Sequence, residues 1–242
     1  MSVTAVGFDF FGTLVDAKAD VNDCISSMCS HLHRCGFGFN DNDFLESYRA
    51  TVRGYRTKRN EGLREVNNRI WLHDTLKRMG YDVKATDPVL FSTVERYFGM
   101  WQLSVFPDVY EVLERIRQEY RIGLVSNFTD SGFLLRSLRK FGIDDYFETI
   151  VVSDTIGWRK PHPRIFQNFL DSMNIEAKEA VYVGDNPEAD IKGAQNTGIT
   201  AVLINRQGDE GRKQGDIIPD YTISSLMELE ELLSAIINSN GS

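Results

Sequence analysis

From Pro107 to Ile204 the chain alternates between helical stretches and short apolar runs, and this alternation leaves few folds open. Helical spacing over Asp108 to Glu119, Gly132 to Phe141, Pro163 to Met173 and Glu188 to Thr197 separates the runs Ile122 to Val125, Thr149 to Val152, Ala180 to Val183 and Thr200 to Ile204. Strands joined through helices pair in parallel, and such sheets are covered on both faces. The pattern therefore predicts an α/β fold built on a Rossmann-like, doubly wound parallel sheet. One further run, Thr4 to Phe10, stands apart at the start and must join the same sheet. Between it and the rest lie four helical segments, Val21 to Cys35, Asp43 to Lys58, Leu63 to Met79 and Pro88 to Leu103, punctuated by Gly36, Gly62 and Gly80. We expect a core from residues 1–16 and 104–242, with an inserted α-helical cap domain, residues 17–103, over the strand ends.

Composition narrows the function classes. At 242 residues, 42% hydrophobic and 26% charged, the chain can bury one good core plus a smaller unit. A net charge of -8 without a long basic run disfavours a nucleic-acid partner. The amino terminus lacks a signal-peptide pattern, and no apolar run approaches the ~20 residues of a membrane helix, so we expect a cytoplasmic protein with no membrane partner. Cys24, Cys29 and Cys35 are odd in number and form no CxxC pair, as expected of reduced, buried thiols. His31 and His33 lie among them but diverge on a helix, which argues against a metal site there. Asn205 to Pro219, rich in Gly, Asp and Lys/Arg, reads as a polar loop.

Ligands of open parallel sheets bind at the carboxyl ends of the strands. Asp9 follows the first run, Ser126 and Asn127 the second, Lys160 lies in the loop after the third, and Gly184, Asp185 and Asp190 follow the fourth. Each has a structural alternative. Asp9 can be a hydrogen-bonding residue, Ser126 and Asn127 a helix cap, Trp158-Arg159-Lys160-Pro161-His162-Pro163 a rigid helix entry, and Asp185 and Asp190 acids complementing a helix dipole. Taken together they comprise a carboxylate nucleophile, a hydroxyl and amide to hold an oxygen, a cation, and acids able to hold a hard divalent ion. Phosphoryl transfer needs that combination, because its catalysis is mostly positioning and neutralisation of charge on oxygen.

This order of motifs resembles the haloacid dehalogenase superfamily of hydrolases. Its first motif is similar to Asp9-Phe10-Phe11-Gly12-Thr13-Leu14, its second to Leu124-Val125-Ser126-Asn127, its third to Lys160-Pro161, and its fourth to Gly184-Asp185-Asn186-Pro187-Glu188-Ala189-Asp190. The resemblance implies that Asp9 attacks the substrate in line, that Ser126 acts beside it, that Ser126, Asn127 and Thr13 bind the transferring group, and that Lys160 bridges nucleophile and substrate. It further implies Mg²⁺ held by Asp9, the backbone carbonyl of Phe11, Asp185 and Asp190, and a small-molecule phosphate ester or 2-haloacid as substrate.

Phe11 departs from the phosphatase pattern, which has a second aspartate there to protonate the leaving oxygen and activate water. A phenyl ring can neither donate nor accept a proton. Three readings follow. The first is a Mg²⁺-dependent phosphatase working through a phospho-aspartyl intermediate on Asp9, best on phenolic or acyl phosphates that depart unprotonated. The second is a 2-haloacid dehalogenase, a branch that uses no metal, has an aromatic residue at this position, and is also similar to Lys160-Pro161-His162-Pro163-Arg164-Ile165-Phe166 and Leu203-Ile204-Asn205-Arg206. The third is a weakly active member that binds a phosphorylated ligand.

Substrate contacts are expected from the cap. Arg49, Arg53 and Arg56 share one helical face and offer bidentate anion contacts, or simply a solvated basic face. Tyr55, Trp71, Tyr97, Phe98 and Trp101 read as bundle core. Either a monomer or a homodimer is compatible with these patterns.

Overall fold

The computed structural model of the protein describes residues 3–206 and 217–239. In chain order its strands are β1 (Ala5–Phe8), β2 (Val15–Lys18), β3 (Gln102–Val105), β4 (Arg121–Ser126), β5 (Thr149–Val152), β6 (Ala180–Gly184), β7 (Thr200–Ile204) and β8 (Tyr221–Ile223). Its helices are α1 (Val21–Arg34), α2 (Asp41–Gly62), α3 (Asn68–Arg78), α4 (Pro88–Gly99), α5 (Val109–Ile116), α6 (Ser131–Phe141), α7 (Ser153–Ile156), α8 (Pro163–Met173), α9 (Lys192–Gln195) and α10 (Leu229–Ser239).

Six strands form one sheet in the order β5-β4-β1-β6-β7-β8, every neighbouring pair parallel. The run that stood apart in sequence takes the centre, with Phe8 opposite Leu124 on one side and Val183 on the other. The chain winds outward from β1 through β4 to β5, then returns to β6 on the opposite side. That reversal opens a crevice at the carboxyl end of β1, where such folds bind ligands. One face of the sheet is covered by α8 and α9 through Ile165, Phe166, Phe169 and Ala194. The other is covered by α5, α6 and α10 through Val112, Leu113, Leu134, Leu138 and Leu233.

The helical block α1 to α4 leaves and rejoins the core through β2 and β3, which pair antiparallel from Val15 opposite Val105 to Lys18 opposite Gln102. Its helices start where side chains can satisfy free amides: Asp20 accepts from Asn22 and Asp23 N–H, Asn40 from Asn42, Asn67 from Arg69, and Asp87 from Val89 with Pro88 in the first turn. The block's buried side chains run into the core without a break, through Phe98, Phe128, Phe10 and Leu14.

Several elements differ from expectation. The helix expected from Leu63 begins only at Asn68, because Leu63 takes a left-handed conformation (φ 51°) that ends α2. The next residues then hydrogen-bond to the core rather than to each other: Glu65 N–H donates to Gly157 O, Arg159 N–H donates to Leu63 O, and Arg64 bridges Trp158. Leu103 lies in β3, not at a helix end. Glu188 to Thr197 splits into a π turn, Pro187–Ile191, followed by α9. Of the cysteines, Cys24 and Cys29 are buried, but Cys35 is exposed at the end of α1. Much of the polar loop expected over 205–219 lies outside the described residues. Among the described residues no helix is long and apolar enough to cross a membrane.

Candidate active site

Asp9 is the first residue beyond β1, and its N–H still donates to Val183 O at 2.9 Å, so the sheet ladder holds its backbone. Its carboxylate lies almost wholly buried, 8% exposed. The Lys160 ammonium sits 2.6 Å from Asp9 Oδ1 and 2.6 Å from Asp190 Oδ1, and reaches Val125 O and the Tyr182 hydroxyl at 2.8 Å each. Four oxygens thus enclose one ammonium. Tyr182 fixes it from behind, its hydroxyl lying 3.0 Å from Val125 O and 3.3 Å from Asp190 Oδ1.

Asp190 reaches this place because the π turn folds back on the strand end. Its Oδ2 accepts from Asn186 N–H at 2.9 Å, and a Cβ at Gly184 would collide with its side chain. Asp185 approaches from the other side, where a Cβ at Gly12 would strike its carboxylate. Gly12 also has φ +84°, a conformation that other residues enter at a steric cost. Two glycines therefore make room for two acids. Oxygens of Asp9, Asp185 and Asp190 all lie within 4.8 Å of one another.

Two carboxylates, Asp9 and Asp190, share the Lys160 ammonium, and Asp185 lies close to both. Burial pushes the Asp9 carboxyl up to about 7; Lys160 pulls it down, while Asp190 and Asp185 add to the rise. Burial also works against charge on Lys160, but Asp190 and Asp9 outweigh it and hold the ammonium above its ordinary range. The oxygens of Asp9, Asp185 and Asp190 that lie within 4.8 Å of one another are the donor type that suits a hard divalent cation such as Mg²⁺. Asp190 is engaged by Lys160, Tyr182 and the Asn186 amide, which makes it the holder of the lysine as much as a ligand.

The Ser126 and Thr13 hydroxyls are buried and have no hydrogen-bond partner among the described residues. Buried polar groups are nearly always paired, so these two are candidate donors to an oxyanion. Thr13 is placed by Arg206, whose guanidinium donates to Thr13 O at 2.7 and 3.0 Å and pairs with Asp108. Asn127 has a different employment: its Nδ2 donates to Lys160 O at 3.0 Å and its Oδ1 accepts from Lys160 N–H at 2.7 Å. Its side chain clamps the lysine loop. Phe11 faces an aromatic cluster, with ring centres 4.7 Å from Phe10, 5.1 Å from Phe128 and 5.8 Å from Trp101.

Arg49, Arg53 and Arg56 are exposed on α2. Arg49 donates to Asn22 Oδ1 at 2.9 Å, and among the described residues none of the three has a hydrogen bond or ion pair to the strand-end cluster. Sequence reasoning missed Tyr182, although a tyrosine in the otherwise apolar run Ala180-Val181-Tyr182-Val183 needs a polar partner for its hydroxyl. It also missed Arg206 as the anchor of Thr13.

Comparison with known proteins agrees with this geometry. The chain is 36% identical over 137 residues to the glyceraldehyde 3-phosphate phosphatase of Pyrococcus abyssi, a match covering 56% of each protein, so it spans about half the length of that relative. It is 27% identical over 246 residues to the ribulose-1,5-bisphosphate 5-phosphatase of Halopiger xanaduensis, covering 96% of this chain and 99% of that one. Among solved structures, a 2-haloacid dehalogenase from Pseudomonas syringae superposes with a TM-score of 0.70 at 25% identity, over 96% of this chain and 99% of the other. The profile described as haloacid dehalogenase-like hydrolase matches residues 6–204. Strand order, the acids at the ends of β1 and β6 and that profile agree: the chain belongs to the haloacid dehalogenase-like hydrolases.

Proposed function

We propose that this hydrolase is a Mg²⁺-dependent phosphatase of small phosphate esters, with Asp9 as nucleophile. The observation that supports the reading is the gathering of three carboxylates, Asp9, Asp185 and Asp190, with oxygens within 4.8 Å of one another, a donor set that suits a hard divalent ion. Bound Mg²⁺ would supply positive charge and orient the phosphoryl oxygens. One Asp9 oxygen attacks phosphorus, the phosphorus–oxygen ester bond breaks, and water then hydrolyses the resulting acyl phosphate to release phosphate and restore Asp9. Lys160 balances charge on the transferring group, while the Ser126 and Thr13 hydroxyls donate to its oxygens. With Phe11 in place of an acid, the leaving oxygen takes its proton from solvent, so aryl and acyl phosphates are the better substrates. Residues 17–103 act as the cap that covers the site. Three free thiols and the net charge of -8 support a cytoplasmic enzyme, and the apolar residues of α1 to α4 are mostly internal, compatible with a monomer or a homodimer.

The aromatic surroundings of Phe11 and the likeness to a 2-haloacid dehalogenase favour the second reading, in which the leaving halide needs no proton. A screen of aryl and alkyl phosphates and of 2-haloacids, each with Mg²⁺ and with a chelator, separates the two. Metal-dependent phosphate release supports the phosphatase; halide release in chelator replaces it with the dehalogenase. Tight phosphate-ester binding without turnover of either class would leave a binding role.

A further inference from the structure

We propose that Glu65 is a positioning residue of this hydrolase: one buried carboxylate of the cap holds together the loop that carries Lys160 and the loop that follows Asn127. The proposal rests on the reading of Lys160 and Asn127 as site residues.

The Glu65 side chain is fully buried at the junction of the helical block and the core. Its Oε2 pairs with the Arg159 guanidinium and accepts from Ser153 Oγ at 2.6 Å, while Arg59 lies 3.7 Å from Oε1. Arg159 is the residue before Lys160. Ser153 Oγ in turn accepts from Phe128 N–H at 2.9 Å, and Phe128 is the residue after Asn127. Asn127 closes the circuit through its two hydrogen bonds to the Lys160 backbone. The result is a ring: Glu65, Arg159, Lys160, Asn127, Phe128, Ser153 and back to Glu65. The ring has one member from the cap and five from the core.

Other contacts at this junction reinforce its register. Glu65 N–H donates to Gly157 O at 3.1 Å, Arg159 N–H donates to Leu63 O at 2.9 Å, and the Arg64 guanidinium lies 3.6 Å from the centre of the Trp158 ring. Another cap–core contact, among Phe11, Phe98, Phe128 and Trp101, consists of rings, which can slide without losing much, while Asn67 Nδ2 donates to Asp154 Oδ1 at 2.9 Å nearby. The carboxylate contact is directional. A buried ion pair adds little stability over good apolar packing, so its consequence lies in what it ties together. Here it ties cap docking to the placement of the lysine and of the oxyanion-binding loop.

The test uses Glu65→Gln in the full chain, which keeps the shape and removes the charge. Two amides report on the ring directly: Phe128 N–H, held by Ser153, and Arg159 N–H, held by Leu63 of the cap. Hydrogen exchange at both should quicken about tenfold while the amides of β1, β4 and β6 keep their protection. With para-nitrophenyl phosphate and Mg²⁺, kcat should fall about tenfold or more and KM change less, as expected when reacting groups are misplaced. Ser153→Ala provides a second, milder break: Phe128 N–H should quicken and Arg159 N–H should not. Unchanged exchange at both amides in Glu65→Gln overturns the proposal. A uniform loss of protection across the sheet does so too, because it would make Glu65 a stability residue only. If wild-type protein turns over no phosphate ester, the phosphatase reading fails while the exchange data still decide the ring.

Discussion

Two buried ionic clusters lie on either side of the lysine loop, and they are built to opposite specifications. At the strand ends, Asp9 and Asp190 share the ammonium of Lys160 with Asp185 close by, the Asp9 carboxyl is driven up to about 7 by burial, and the hydroxyls of Ser126 and Thr13 have no hydrogen-bond partner among the described residues. At the junction, the one carboxylate of Glu65 meets the guanidiniums of Arg159 and Arg59, and the Ser153 hydroxyl is hydrogen-bonded on both sides. The first cluster holds two hydroxyls with no partner among the described residues, while the Ser153 hydroxyl of the second is engaged on both sides. Buried polar groups are nearly always paired, so that contrast separates a candidate binding site from a structural joint.

The sharpest way to break this contrast is Asp9→Asn. If the first cluster is a reaction site, turnover should drop by about 10⁴-fold or more, as for loss of other nucleophiles. Stability should move the other way. Because the folded-state value of Asp9 is raised from the ordinary 3.8 to about 7, its contribution is fully present below pH 3.8 and is lost as pH rises through 7. Ionised Asp9 therefore works against folding at pH 8. The metal-free variant should show a higher thermal midpoint than its parent at pH 8, and a smaller gain at pH 5. A parent more stable than the variant at pH 8 would count against a raised Asp9 carboxyl.

The second cluster should respond in the reverse sense. Arg159→Met leaves Glu65 with only the more distant Arg59, and breaking a buried pair from one side costs about 3 to 5 kcal/mol. Urea unfolding measures that loss, and a change below the scatter of the method would remove Glu65 from the buried network. One substitution made at two serines then sharpens the comparison. Ser126→Ala should slow turnover about 100-fold, the low end for loss of an oxyanion donor, with no loss of unfolding free energy because its hydroxyl has no partner among the described residues. Ser153→Ala should cost about 1 kcal/mol of stability, since its hydroxyl both donates and accepts. Equal stability losses at the two positions would erase the distinction.

The smallest expected effect is at Phe11. Phe11→Asp restores a proton donor, and the ratio of alkyl to aryl phosphate turnover should rise about tenfold, at the low end of general acid–base effects because the new carboxyl must stand among the rings of Phe10, Phe128 and Trp101. An equal change on both substrate classes would dissociate Phe11 from leaving-group protonation.

The strands β5 and β7 and the helix α8 begin and end where the apolar periodicity placed them, because a buried strand or an amphipathic helix is a local pattern bounded by turn residues. The places of Asp9, Ser126 and Asp185 were legible for the same reason: a residue at the carboxyl end of a buried parallel strand has one place to go. What was not legible depends on pairs far apart in the chain. The clamp of Asn127 on Lys160 spans 33 positions, that of Glu65 on Arg159 spans 94, and neither residue type announces its partner. The extended stretch after Leu63 had helical spacing, but its amides are taken by the segment around Gly157, and tertiary hydrogen bonds outweigh a weak local preference.

By itself, then, the sequence determined the α/β architecture, the helical insertion, the edge of the sheet where chemistry gathers and the absence of an acid at position 11. Those follow from period, order and residue type. Only the tertiary structure decided that Asn127 serves the lysine loop, that Tyr182 stands behind the ammonium, that Arg49 and Arg53 lie exposed on α2 apart from the acid cluster's ion pairs, and that a cap glutamate reaches both loops. Each of these is a question of which buried polar groups find one another. The chain settles that only once its strands are stacked, because a buried donor or acceptor is satisfied by whatever the fold brings within about 3 Å.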